Sequence, residues 1–264
     1  MVELSYNRFG SSDRSPLILL HGLLGSSRNW LSVAKDLADH FEVFALDLRN
    51  HGNSPHVDEM DYESMVGDVL AWMRAYLEEA PVLVGHSMGG KTAMALACRH
   101  PESLKALVVA DIAPKDNPAM LCEFEAMEAI DLDKIQSRKE AENRMLEAVP
   151  DLGMRRFLLT NLERGESGFR WVVNLSALSR SLAILAKNPL ESYECYRGPT
   201  LFIRGGLSHF VPDSILPVIR EHFPSSSIET LENAGHNVHV DFRPAFVELL
   251  LGLVSSSIGR KKEE

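Results

Sequence analysis

The sequence is poor in cysteine: three in 264 residues, at Cys98, Cys122 and Cys195. An odd number without close pairing builds neither a disulfide framework nor a zinc site. No apolar run approaches the roughly 18 residues that a spanning helix needs. The longest candidate, near Phe246–Val254, carries Glu248 and reads as a helix with one buried face. Positive charge is also scarce, with 27 Lys and Arg against 37 Asp and Glu and a net charge of −10. A nucleic-acid binder must neutralise phosphates with clustered Lys and Arg, so that class is excluded. General attraction to anionic membrane surfaces is excluded for the same reason. The opening MVELSYNRFG lacks a basic region followed by an apolar stretch, so no secretory signal is read. These absences leave a reduced, cytoplasmic, enzyme-sized chain as the expectation.

What is present is the composition of an ordinary globular protein, with 45% hydrophobic and 24% charged residues. Short Val/Ile/Leu runs at Leu17–Leu20, Val43–Leu46, Val82–Val84, Leu104–Ala110, Thr200–Ile203 and Ile228–Leu231 read as strands buried on both faces. Continuous runs of this kind suit a parallel sheet covered by helices. Helical periodicity fills residues 29–40, 61–79, 88–100, 213–223 and 242–255 between them. The alternation predicts an α/β, doubly wound, mostly parallel sheet. It breaks between Pro114 and Pro199, a helix-rich stretch too long for a bare loop. Ser137 with Glu140 reads as a capping box opening a helix through Val149. Asp151–Leu162 and Asn174–Lys187 are further helix candidates. The expectation is a core of residues 1–113 and 199–264 with a helical cap over 114–198, and a solvated GRKKEE end.

PVLVGHSMGGKTAMALA runs strand, tight turn, helix and contains G-x-S-x-G as Gly85-His86-Ser87-Met88-Gly89. A serine hydroxyl is a weak nucleophile unless a sharp turn lifts it clear of its neighbours, and small flanking residues permit that turn. The Met88 N–H then begins a helix and can face a developing oxyanion. The same residues match G-x-x-x-x-G-K-[ST], from Gly85 to Thr92, the pattern of a phosphate-binding loop. Asp111, ending the apolar run LVVAD, could then hold magnesium. Other residues favour the serine. His21-Gly22-Leu23-Leu24-Gly25 follows a strand and offers the Leu23 N–H as a second oxyanion donor. Asn233-Ala234-Gly235-His236 follows the last strand and offers His236 as general base. His239 makes a His-x-x-His pair with it, but no third metal ligand is evident. His51, His56, His86 and His209 are read as structural or exposed, the loop Asp47–Ser54 as a structural network, and Met88 and Met120 as core or pocket residues.

With HGLLG, DLRNHGNS, GHSMGGKTAM, ADIAP, GGLSHFV and NAGHNVH in this order, from about residue 4 to 252, the chain resembles α/β-hydrolase fold proteins. GHSMGGKTAM, DIAP and a serine at the usual acid position make it similar, more narrowly, to the YbfF-type esterases and their mitochondrial relatives. The resemblance implies cleavage of short acyl esters and acyl-CoA thioesters without metal or organic cofactor. It also implies a cap and an acid after the sixth strand, where Asp111 stands. Ser208 occupies the usual acid position and becomes a second partner for His236, with Asp213 the alternative acid. A non-catalytic ligand-binding protein of the same fold is the remaining rival, and the partner expected is a small-molecule ester or thioester.

Charge is uneven across the insertion. Pro114–Asp151 holds 5 basic and 10 acidic residues, and Leu152–Gly198 holds 7 and 4. The seven are Arg155, Arg156, Arg164, Arg170, Arg180, Lys187 and Arg197. They read first as solvated helix faces, and second as a surface for an anionic acyl carrier such as CoA.

Overall fold

The computed structural model describes residues 1–166 and 168–259, so the GRKKEE end lies outside it from Arg260 on. The chain first lays down strands β1 (Tyr6–Phe9), β2 (Pro16–Leu20), β3 (Glu42–Leu46), β4 (Val82–His86) and β5 (Ala106–Ala110), with helices α1 (Leu31–Leu37), α2 (Tyr62–Tyr76) and α3 (Met88–Arg99) between them. An insertion follows, carrying α4 (Leu121–Glu128), α5 (Arg138–Arg144), α6 (Leu152–Leu158), the hairpin β6 (Leu162–Gly165) and β7 (Gly168–Trp171), and α7 (Leu175–Leu185). The chain then returns through β8 (Thr200–Gly205), α8 (Leu216–His222), β9 (Ser226–Leu231), α9 (Val238–Asp241) and α10 (Arg243–Gly259).

Seven strands make the main sheet in the order β1-β3-β2-β4-β5-β8-β9. β1 pairs antiparallel with β3, and β2–β3, β2–β4, β4–β5, β5–β8 and β8–β9 pair parallel. Strand alternation divides the core between the two faces. Leu17 and Leu19 of β2 join Trp30, Phe246 and Leu250 on one side. Ile18 and Leu20 join Val69, Trp72 and Leu96 on the other. The Phe246–Val254 run buries Phe246, Leu250 and Val254, the one-faced helix its Glu248 required.

From β2 the chain steps to β3 on one side and then returns to β4 on the other. The order reverses there, and such a reversal opens a crevice at the carboxyl ends of the strands. HGLLG leaves β2 and the Ser87 turn leaves β4 at that crevice.

Four details differ from the sequence expectation. The insertion follows the fifth strand along this chain, one earlier than the count of six. β1 and the β6–β7 hairpin were not foreseen, because YNRF and LERG are short, polar and without an apolar run. β9 is an edge strand whose residues alternate between half-buried and exposed along most of its length, instead of a strand buried on both faces. The helix capped by Ser137 ends at Arg144 and not Val149. The Met145 N–H makes the closing bond to the Ala141 carbonyl, and residues 145–148 continue as a turn.

Candidate active site

β4 ends at His86 and α3 begins at Met88, so Ser87 alone makes the turn, at φ 51° and ψ −117°. A side-chain-bearing residue is rarely found there, and the neighbours hold it in place. A Cβ on Gly85 would come within 2.3 Å of the Gly89 carbonyl oxygen, and one on Gly89 within 2.5 Å of those of Leu20 and His21. The elbow therefore needs glycine at both flanking positions. Met88 is the first residue of α3, where an N–H has no partner within the helix.

The loop carrying Leu23 is fixed by two buried histidines. His21 Nε2 accepts the Leu48 N–H at 3.0 Å, so its Nδ1 is protonated and donates to the Gly22 carbonyl at 2.8 Å. His51 Nε2 accepts the Leu24 N–H at 3.2 Å and its Nδ1 donates to the Arg49 carbonyl at 2.9 Å. Burial holds both rings neutral, pushing His21 below the ordinary histidine range and His51 down to about 3. Asn161, from the insertion, donates to the Leu24 carbonyl at 2.8 Å. Leu23 and Met88 line the same cavity. Asp47 and Arg49 belong to the structural network expected of their loop: Asp47 accepts from the N–H groups of Ser27 and Asn53, and Arg49 pairs with buried Asp68.

Asp111 follows β5 at φ 48°, with its carboxylate fully buried. Oδ1 accepts the Gly205 N–H at 2.8 Å. Oδ2 accepts the Ser208 hydroxyl at 2.5 Å and His236 Nδ1 at 2.8 Å. An ionised carboxylate only accepts hydrogen bonds, so Nδ1 carries the proton of the neutral ring and Nε2 keeps a lone pair. The His236 ring stacks on Phe210, centroids 3.9 Å apart. Its turn is held by the Gly235 N–H on Asp241 and by His86 Nε2, which donates to the His236 carbonyl at 2.9 Å. Burial pushes His86 well below the usual histidine value and His239, packed on Trp30, down to about 3. Asp213, the alternative acid, is exposed and pairs with Arg204 at 2.6 Å. The structure thus brings Asp111 to His236 and leaves Asp213 outside, while Ser208, expected as a second partner of His236, bonds the Asp111 carboxylate instead. Among the described residues no group of three or more His, Cys, Asp or Glu could hold a metal ion.

The phosphate-loop alternative loses its residues. Lys91 Nζ donates to the carbonyls of Ala186 and Lys187, at the end of α7, at 3.1 and 2.6 Å. Thr92 Oγ1 donates to the Met88 carbonyl, and the Asp111 carboxylate serves His236. The match to that pattern is explained by a lysine that ties α3 to the insertion.

Ser87 and His236 open into one cavity of about 650 Å³. Its walls are largely apolar, with Ile112, Met120, Phe157, Leu182 and Leu185 among them. None of the seven basic residues of 152–198 lines it. Arg155 is buried on the carbonyls of Val149 and Pro150, and Arg170, Arg180 and Lys187 are in ion pairs. Sequence reasoning missed Lys91, Tyr62 and Phe210 as cavity residues; for Lys91 the signal was its place one helical turn beyond Ser87.

Against known proteins, residues 15–136 match the family model described as the alpha/beta hydrolase fold. The chain is 37% identical to an sn-1-specific diacylglycerol lipase ABHD11 of Xenopus tropicalis, over 97% of this chain and 83% of that protein. The chain belongs to the α/β-hydrolase fold family. This α/β hydrolase is also 32% identical to esterase YbfF of Escherichia coli strain K12, over 87% of its own length and 89% of the other's. A solved structure, a marine microorganism esterase, matches with a TM-score of 0.91 and 36% identity, over 96% of this hydrolase and all of that chain. Relatives named as esterases and lipases make it a hydrolase of ester bonds. No helix among the described residues is long and apolar enough to cross a membrane.

Proposed function

We propose that this hydrolase cleaves carboxylic esters, and acyl thioesters of similar size, through an acyl-enzyme on Ser87. His236 Nε2 takes the Ser87 proton as the oxygen attacks the carbonyl carbon. The N–H groups of Leu23 and Met88 stabilise the negative charge that develops on the carbonyl oxygen. The alcohol or thiol leaves with the proton from His236. Water then attacks the acyl-enzyme, giving its proton to His236, and the acid is released as Ser87 recovers its proton. Asp111 holds the Nδ1–H tautomer and stabilises the imidazolium, and Ser208 holds Asp111.

The observation that carries this reading is the Asp111 carboxylate 2.8 Å from His236 Nδ1, in a ring facing the cavity that Ser87 lines. In the same reading, segment 114–198 is a cap that sets which acyl groups fit. The test is turnover of a p-nitrophenyl short-chain ester and labelling by a fluorophosphonate probe. Wild type should do both, and Ser87→Ala, folded by circular dichroism, should do neither. Unchanged turnover by that variant would sink the acyl-enzyme. A wild-type protein that neither labels nor turns over would be a ligand-binding relative.

A further inference from the structure

Lys91 is a buried cation without a counter-charge. It is 2% exposed, and among the described residues no carboxylate pairs with it. Its Nζ meets two carbonyl oxygens, of Ala186 and Lys187, and lies 5.9 Å from the centre of the Tyr62 ring. An ammonium has three N–H donors, and the two carbonyls use two of them. Asp116, the nearby acid that would favour its charge, is itself held by Lys187 and the Asn188 N–H. Burial therefore pushes the Lys91 ammonium down to about 8. A charge withdrawn from water into such a place is costly until an anion joins it.

The place is the wall of the cavity. Lys91, Tyr62 and Ala186 all line it, so the residues surrounding Nζ are cavity residues. The Lys91 N–H bonds the Ser87 carbonyl at 2.9 Å, one helical turn along α3. That turn sets the Lys91 backbone about 6 Å along the helix axis from Ser87, and both side chains line the same cavity. Glu123 and Asp151 also line the cavity, but Asp151 caps α6 and neither pairs with Lys91.

We propose that Lys91 forms a subsite for a carboxylate at the far end of the acyl group, so that the preferred substrates are esters of short dicarboxylic acids with one free carboxylate. This rests on Ser87 being the nucleophile. Once the acyl carbonyl reaches Ser87, the free carboxylate takes the third N–H of Lys91 and supplies the missing charge. Lys91 touches substrate without sharing in proton transfer.

The experiment compares acyl groups of equal length on wild type by pH-stat at neutral pH: monomethyl glutarate against methyl pentanoate, and monomethyl adipate against methyl hexanoate. A charge-assisted hydrogen bond should favour one or both half-esters in kcat/KM by about tenfold or more. In Lys91→Met that preference should vanish, and in Lys91→Arg part of it should survive. A purely structural Lys91, capping α7, would change the melting temperature of Lys91→Met and leave the ratio at its wild-type value. Should Lys91→Met not fold, wild type still decides, because free glutarate should inhibit more strongly than pentanoate. Neutral esters turned over as well as or better than both half-esters would overturn the subsite and leave the acyl-enzyme standing. Loss of all turnover and labelling would instead strike the acyl-enzyme itself.

Discussion

His86 donates its Nε2–H to the main-chain carbonyl of His236 at 2.9 Å, and the two rings lie 4.6 Å apart. The residue before the nucleophile thus positions the turn that carries the proposed base. Burial keeps His86 neutral, so the bond carries no charge. His86→Phe would keep a ring in the space and leave the half-buried His236 carbonyl without its donor. An unmet acceptor costs stability, and relief of that cost by a shift of the turn would displace His236, so kcat should fall while KM moves little. Steady-state kinetics on a p-nitrophenyl ester, beside the melting temperature, would check this. An unchanged kcat would reduce His86 to packing.

Asp111 and Asp213 separate cleanly as acids. Asp111→Asn can donate an amide N–H to His236 Nδ1, which selects the tautomer with its lone pair on the wrong nitrogen. The expected loss in kcat is about 10³–10⁴, the scale seen when an acid of this type becomes an amide. Asp213→Asn loses only an exposed pair with Arg204 and should stay within about twofold of wild type. Ser208→Ala removes one donor to Asp111 and should fall between the two. Near-normal rates in Asp111→Asn would move the acid elsewhere.

Buried neutral histidines make stability sensitive to mild acid. His51 and His239 are held near 3, against an ordinary value of 6.5 in the unfolded chain. Below 6.5 the unfolded chain takes protons that these folded rings refuse. Their contribution is therefore full above pH 6.5 and is lost as pH falls from there toward 3. Each such ring adds a slope of up to about 1.4 kcal/mol per pH unit within that window. Urea denaturation at pH 7, 6 and 5 should show the decline. His51→Gln cannot take the proton and should make it shallower by up to one ring's share. An equal slope in wild type and variant would contradict the neutral assignment.

Much of the fold was legible because β2, β4 and β5 are unbroken apolar runs, buried on both sides, and because the crevice loops carry glycine for steric reasons. Ser87, Asp111 and His236 could be singled out because each follows a strand that ends at one edge of the sheet. Other residues acquire roles only through contacts distant in sequence. Lys91 reads as part of a phosphate loop until α7, 95 residues later, presents the Ala186 carbonyl to it. Phe210 looks like an ordinary loop aromatic until its ring meets His236. The hairpin at Leu162–Trp171 has no core of its own to write an alternating pattern into the chain. The seven basic residues of 152–198 look like one surface by count, yet none lines the cavity, and Arg155, Arg170, Arg180 and Lys187 are each held by a different partner.

Acyl length should be set by α7. Leu182 is 4% exposed and, with Leu185, walls the cavity from the insertion side. Lengthening this side chain removes volume needed by a long acyl group and leaves the region at Ser87 open. Each methylene that can no longer be accommodated is worth about 1–3 kcal/mol in an apolar pocket. Leu182→Trp should therefore lower kcat/KM for a p-nitrophenyl octanoate by about tenfold or more relative to the acetate. Leu182→Ala should widen tolerance for long chains, although the cavity it opens costs about 2–5 kcal/mol of stability, so its melting temperature must be read alongside. A panel of p-nitrophenyl esters from acetate to decanoate separates a change in length preference from a general loss. If both substitutions scale every ester by one factor, α7 supports the fold and another wall sets the length.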